Sequence, residues 1–259
     1  MQYRTYKENV KLSVIGFGGI CVMNESEADA KRIVDTAIRR GVTYFDVAPS
    51  YGNAEVMLGP ALAPYRDQVF LACKSNRRDA GGVQQELQQS LENLKTDHFD
   101  LYQIHGIESQ EQVDQVLAPG GALETIQEER DKGRLTYIGF SAHNEEAALR
   151  LLDAFQFDSI LCRVNRYVWD AGAVGPRVVE RAQEKGTVVL ALKTLAARRW
   201  EEGEERTWSK TWYKPLDDPE RIREAVRFTL TRPVVAAVSP GHEKLLWMAC
   251  DAADAFIPL

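Results

Sequence analysis

The stretch Gly41-Val-Thr-Tyr-Phe-Asp46-Val-Ala-Pro-Ser-Tyr51-Gly52 decides the fold. Thr43, Phe45 and Val47 alternate with Tyr44 and Asp46, a period of two among β-branched and aromatic residues that suits a strand. Pro49-Ser50-Tyr51-Gly52 then stops the strand, and a helix is expected to start near Ala54. A carboxylate therefore stands at a strand's C-terminal end, with a phenol five residues later on the loop above it. In a parallel barrel that end is the face that carries chemistry. Taken alone, a buried strand acid and a loop tyrosine packed on its neighbours read equally well.

The pattern repeats on both sides of this stretch. Residues 1–12 alternate weakly, as a short β-hairpin would, and Ser13-Val-Ile-Gly-Phe-Gly-Gly19 reads as a first strand. Ser26 or Glu27 opens a helix whose apolar positions Ala30, Ile33, Val34, Ala37 and Ile38 keep helical spacing up to Gly41. Downstream, a helix over 53–63 leads to a strand Gln68–Cys73 that ends in Lys74. A helix over 82–95 leads to a strand Phe99–Ile104 that ends in His105. Helix 121–132, strand Leu135–Phe140 followed by Ser141, helix 145–154 and strand Asp158–Cys162 continue the series. Helix 174–185 and strand Thr187–Leu192, ending at Lys193, precede a loop of about 24 residues that carries Trp200, Trp208 and Trp212. Helix 219–230, strand Val234–Val238 and a helix from about 242 close it.

Eight strand–helix pairs without a break predict a parallel sheet, and in 259 residues a closed (β/α)8 TIM barrel of the α/β class, a single domain over 1–259. An open doubly wound sheet would want a G-x-G-x-x-G turn after the first strand, and Gly16-Phe-Gly18-Gly19 lacks that spacing. Apolar content of 44% and charged content of 27% are ordinary for a globular protein. The net charge of −6 argues against nucleic acid as a partner, because phosphate binding calls for a basic stripe. No apolar run approaches the ~20 residues that span a bilayer, and the first seven residues lack the apolar core of a signal peptide. Cys21, Cys73, Cys162 and Cys250 form no C-x-x-C pair, which fits reduced thiols and a cytoplasmic location.

The strand ends bring a chemistry together. Asp46 with Tyr51, Lys74 and His105 follow three consecutive strands. Each has a plain reading alone, as a cap, a solvated turn or a satisfied histidine, but three ionisable groups on one face must all be desolvated there. A free phenol keeps its proton to about pH 10. An ammonium ~4 Å away contributes roughly 4 kcal/mol at an effective dielectric near 20, and ~1.4 kcal/mol is one pKa unit. Lys74 is therefore expected to draw Tyr51 towards neutral pH, with Asp46 keeping the lysine charged. His105 would donate to a carbonyl oxygen and orient it against Tyr51. Such a site protonates a developing alkoxide and supplies no electrons, so a hydride donor is needed.

These residues identify the chain as similar to the aldo-keto reductase superfamily over essentially its whole length. The segments that carry the resemblance are Ala37 to Glu55 with Asp46-Val-Ala and Tyr51-Gly-Asn-Ala-Glu55, Leu71-Ala-Cys-Lys74, Asp100-Leu-Tyr-Gln-Ile-His105, and Lys132-Gly-Arg-Leu-Thr-Tyr-Ile-Gly139-Phe-Ser141. The resemblance implies a barrel with an N-terminal hairpin, extended NADPH or NADH, and reversible reduction of a small carbonyl substrate by a monomer or weak homo-oligomer. By motif it assigns Tyr51 as acid/base, Asp46 and Lys74 as its modulators and His105 as the carbonyl-orienting group. For the cofactor it points to Ser141, Asn165, Lys193, Ser239 and Gly241.

The cofactor half departs from the family pattern. Ala142-His143 follows Ser141 where asparagine is usual, and the strand Asp158–Asn165 lacks the usual glutamine. Lys193 stands where many relatives stack an aromatic ring, as a phosphate or ribose contact or as a structural salt bridge. Val238-Ser239-Pro240-Gly241-His242-Glu-Lys244 resembles a shortened adenosine loop, with Gly241 offering amides to a phosphate; the usual basic run for a 2′-phosphate is reduced to His242 and Lys244, so NADP over NAD is implied mainly by the family resemblance. The chain ends at Phe256-Ile-Pro-Leu259, so substrate contacts are expected from Val22, Met23, Trp200, Trp208 and Trp212, with 193–217 as a candidate lid. Other readings stay open: an NADP-binding regulatory barrel with little turnover, and a Schiff-base lyase using Lys74 or Lys193. No histidine pair or carboxylate cluster suggests a metal site.

Overall fold

The computed structural model describes residues 1–169 and 175–257. Two antiparallel strands, β1 (Tyr3–Lys7) and β2 (Val10–Ser13), form the N-terminal hairpin. Eight parallel strands then close a barrel: β3 (Ile15–Gly18), β4 (Tyr44–Asp46), β5 (Phe70–Ser75), β6 (Phe99–Ile107), β7 (Leu135–Ala142), β8 (Ser159–Arg163), β9 (Val188–Leu192) and β12 (Ala236–Val238). Between the last two, β10 (Ala196–Arg199) and β11 (Tyr213–Pro215) pair as an antiparallel arm. The strand β12 pairs with both β9 and β3, which completes the ring.

The helices lie outside as α1 (Glu27–Arg39), α2 (Ala54–Leu62), α3 (Ala80–Leu94), α4 (Gln110–Leu117), α5 (Ala122–Asp131), α6 (Glu145–Ala154), α7 (Arg166–Trp169), α8 (Pro176–Glu184), α9 (Pro219–Leu230) and α10 (Glu243–Asp254). Local chemistry sets their starts. Ser26, Asp79, Ser109, Asn144 and Asp218 cap α1, α3, α4, α6 and α9 with side-chain oxygens that accept backbone N–H groups. Among the described residues no helix is long and apolar enough to cross a membrane.

Alternation along the strands sorts side chains into two cores. Phe45 and Val47 face the helices and join the large outer core, where Phe17 and Phe45 stack with ring centroids 4.9 Å apart. Tyr44, Phe70, Ala72, Leu101, Leu161, Leu190 and Ala236 face inward, and Tyr6 and Leu12 of the hairpin join them as a floor. The Tyr6 hydroxyl reaches the Ser159 hydroxyl at 3.0 Å inside the barrel. The same inward period carries each strand upward from this floor to a polar residue: Tyr44 to Asp46, Ala72 to Lys74, Leu101 through Gln103 to His105, and Gly139 to Ser141.

Three expectations change. The first strand is split, Ser13 ending the hairpin and Gly19 opening a 3-10 turn over Gly19–Val22. The helix α4 was not foreseen, because Gln110–Leu117 shows only Val113 and Val116 to the core. The 24-residue loop is the β10–β11 arm, stitched by Arg198 and Lys214 on Glu204 and by Trp200 Nε1 donating to the Thr211 carbonyl at 3.0 Å. Residue 174 of the expected helix and residues 258–259 lie outside the described residues.

Candidate active site

Asp46 ends β4 with its carboxylate turned inward and 2% exposed. Lys74, fully buried on the neighbouring β5, ion-pairs with Asp46 Oδ1 and donates to the Val47 carbonyl at 3.1 Å. Tyr44 OH and Gln103 Nε2 each donate to Asp46 Oδ2 at 3.1 Å. Three donors on three strands thus hold the carboxylate, which is what a buried charge requires. Burial alone would lower the Lys74 ammonium, but Asp46 and Tyr51 outweigh it and its pKa is raised.

Tyr51 leans over this pair from the turn after β4, with Lys74 Nζ 5.2 Å from its ring centre. The His105 and Trp212 rings stand 6.0 Å away on two other sides. The expected drift of the phenol towards neutral pH is corrected here. Desolvation is the largest influence and raises its pKa above 10; Lys74 lowers it but does not prevail. Tyr51 therefore holds its proton across the neutral range. Glu55, one turn into α2, fixes the loop behind it: buried, it accepts from Ser90 Oγ at 2.8 Å and Asn93 Nδ2 at 3.1 Å.

His105 Nδ1 lies 2.8 Å from Asn76 Oδ1. Burial, then the charge of Lys74, pushes the imidazole down to about 3, so it is neutral at working pH. A neutral ring carries one N–H. As placed, Asn76 Oδ1 accepts from Nδ1–H, and the Nε2–H tautomer arises when the Asn76 amide turns over so that Nδ2 donates to Nδ1.

These groups open into a cavity of about 570 Å³ at the C-terminal mouth. Ser141, Lys193, Ser239 and Gly241 line it as expected, and Leu161, Leu192, Tyr213 and Ile20 form its apolar wall. Ser141 Oγ accepts the Gly106 N–H at 2.8 Å, and Ser239 Oγ accepts that of Gly18 at 3.0 Å. Asn165 is 2% exposed and gives its side-chain amide to the Lys193 carbonyl at 2.8 Å. Lys193 itself takes φ +60°, which turns it out of the β9 alternation into the cavity. Of the expected substrate contacts, Trp212 lines the cavity, 62% exposed. Val22 is wholly buried, and the Trp200 and Trp208 indoles bond within the arm and to Asp217. Sequence reading missed His143 and Glu108 on the cavity wall; His143 follows Ser141 by the period of two, and Glu108 follows His105 across the irregularity of β6 at Gly106.

A nicotinamide cofactor fits one end of this cavity and part of the other. Ser141 and the Lys193 ammonium are polar groups turned into it, suited to an amide and a phosphate. At Gly241, however, a side chain would run into Ile20 and the Lys210 carbonyl, so this glycine seats the arm as well as facing the cavity. His242 Nε2 already accepts from the Lys210 N–H at 2.9 Å, and among the described residues no ion pair joins Lys244 of that loop to a carboxylate.

The Aldo/keto reductase family profile matches residues 14–227. The protein belongs to that family. The aldo-keto reductase str7 of Strobilurus tenacellus is 26% identical over 193 residues, 71% of this chain and 55% of that protein. The L-galactose dehydrogenase of Arabidopsis thaliana is 31% identical over 147 residues, 51% of this chain and 45% of its own. The chain spans about half the length of the curated relatives it matches. A solved aldo-keto reductase of Bacillus halodurans, in its holo form, shares the fold with a TM-score of 0.76 at 23% identity, over 100% of this chain and 92% of that one.

Proposed function

We propose that this aldo/keto reductase reduces an aldehyde or ketone to the alcohol with NADPH or NADH, Tyr51 giving the proton. The observation that carries the reading is Tyr51 standing between Lys74 and His105 at the rim of one cavity. The cofactor supplies the hydride; Ser141 and Lys193 would hold it, with Ser239 and Gly241 beside them and Asn165 supporting Lys193 through its carbonyl.

The chain's own residues do the rest. With the Asn76 amide turned to donate to Nδ1, neutral His105 carries its proton on Nε2, donates it to the carbonyl oxygen and fixes that oxygen near the phenol. As negative charge builds on that oxygen, Tyr51 transfers its proton to it. Lys74 stabilises the phenolate left behind, and Asp46 keeps Lys74 charged through the exchange. A phenol that is protonated in the resting cavity suits reduction, where a proton must be given. NADP is the preferred cofactor in this reading, supported by Lys193 and Lys244, with NAD also accommodated. Four unpaired, buried thiols support a cytoplasmic setting.

The test is loss of reduced nicotinamide absorbance when protein, NADPH and a reactive aldehyde are mixed. Tyr51→Phe should lower kcat by ~10²–10⁴-fold while quenching of tryptophan fluorescence by NADPH persists. NADPH quenching with no turnover of a broad aldehyde panel would move the reading to a regulatory barrel.

A further inference from the structure

Most arginines of this chain are paired. Arg32, Arg40, Arg66, Arg134, Arg150, Arg177, Arg181 and Arg198 each meet a carboxylate. Four cations at one side of the barrel mouth are not: among the described residues no ion pair joins Arg78, Arg163, Lys193 or Arg199 to a carboxylate. In a protein of net charge −6 this is a local reversal of sign.

Their placement is specific. Leu161 lines the cavity, and Arg163, two residues on along β8, shares its inward face. Arg163 Nη2 donates to the His143 carbonyl at 3.2 Å, and Arg78 Nη2 to the His105 carbonyl at 2.5 Å. The two guanidiniums thus brace the two histidines of the cavity wall. Arg78 Nε, Arg163 Nε, His143 Nδ1 and Thr194 Oγ1 are buried with no hydrogen-bond partner. An unmet buried donor costs ~1–3 kcal/mol, so such a cluster marks a place where an acceptor belongs. Burial, then the charges of Arg163 and Arg199, hold the Lys193 ammonium down to about 8 against the opposing charge of Glu108. Glu108 lines the same wall but is exposed and outside ion-pair distance.

We infer that Arg163 and His143, with Arg78 and the cofactor-side Lys193 flanking them, form an anion subsite beside His105, and that the carbonyl substrate carries a carboxylate that docks there. The inference rests on the reductase reading and names its substrate class, an oxo-acid. A cofactor phosphate is the other possible source of the anion. The set favours the substrate because it runs along β5 to β9 next to His105, whereas Ser239 and Gly241 lie across the mouth on the β12 side.

The experiment compares 4-carboxybenzaldehyde with methyl 4-formylbenzoate, which differ in charge; the ester's carbonyl is the more electrophilic, so intrinsic reactivity works against the expected preference. The acid should have at least a tenfold higher kcat/KM, the advantage shrinking in 1 M salt, and Arg163→Gln should bring the ratio near one. If Arg163→Gln does not fold, His143→Gln reads the same ratio. A wild-type ratio near one, or a ratio unmoved by the substitution, overturns the subsite. So does weakened NADPH quenching in Arg163→Gln with the ratio intact, which would assign the anion to the cofactor. Binding of 4-hydroxymethylbenzoate and its methyl ester, followed by tryptophan fluorescence, separates the two readings. Tenfold preference for the anion without turnover of any aldehyde keeps the subsite and removes the reductase; equal binding removes the subsite even in an active enzyme.

Discussion

His105 is the residue whose ionisation the cavity alters furthest from its ordinary range. Its folded pKa of about 3 lies below the usual 6.5, because burial and Lys74 oppose the charged ring. In the unfolded chain the ring takes its proton near 6.5 and in the folded protein it does not. Stability from this source is therefore complete above about pH 6.5 and is lost as pH falls towards 3. His143, held down to about 4 by burial, Lys193 and Arg163, acts in the same direction. Urea unfolding at intervals from pH 7 to 4 should show falling stability, and His105→Gln should flatten the slope. An unchanged slope in the variant would mean that other groups carry it. Asp46, Tyr51, Lys74 and His105 were all readable from the sequence, because each is a strand-end or turn residue in a recognisable local pattern. The direction of the Tyr51 shift was not readable: Lys74 can be named from sequence, but the desolvation that outweighs it depends on how the cavity is enclosed. Tyr44 and Gln103, which help to hold Asp46, look like ordinary strand residues until the ring closes.

The β10–β11 arm is the element that sequence periodicity concealed, since its strands are short and its order comes from side-chain bonds. It crosses the mouth and is latched at its tip, where the Lys210 ammonium ion-pairs with Glu25 and donates to the Cys21 carbonyl at 3.1 Å. Trp208 packs edge-on against His242, ring centroids 5.1 Å apart, as a second attachment. Lys210→Met should free the tip without disturbing the barrel, because the Glu25 carboxylate it leaves unpaired is 33% exposed and can be solvated by water. Limited proteolysis within residues 200–209 is expected to quicken several-fold, with global melting nearly unchanged. Equal cleavage rates would show that the tryptophans, and not the ion pair, hold the arm. A loop rich in charge and aromatic residues gives no period to read, so only the coordinates show Trp212 beside Tyr51.

At the scale of the whole molecule, the barrel is closed at one end by the hairpin and reactive at the other. Leu12 is fully buried in the floor, with Tyr6, Tyr44, Leu101 and Leu190 in the same cluster. Leu12→Ala should cost ~2–5 kcal/mol, seen as a lower urea midpoint, while kcat of the folded fraction stays at the wild-type value. A change in kcat would show that floor and mouth are coupled through the barrel interior. The eight-fold alternation was legible because each strand and helix repeats one simple period. Strand limits shifted by a residue or two where glycines and hairpin turns interrupt that period.

The cysteines add a chemical consequence. Cys21, Cys73, Cys162 and Cys250 are all buried, and the Cys21 thiol, nearest the mouth, is turned towards the Pro240 carbonyl and pushed up to about 12. On the proposed reading the substrates are aldehydes, electrophiles that add readily to thiolates. With each sulfur protonated and walled off, the protein would meet them at high concentration without being titrated away.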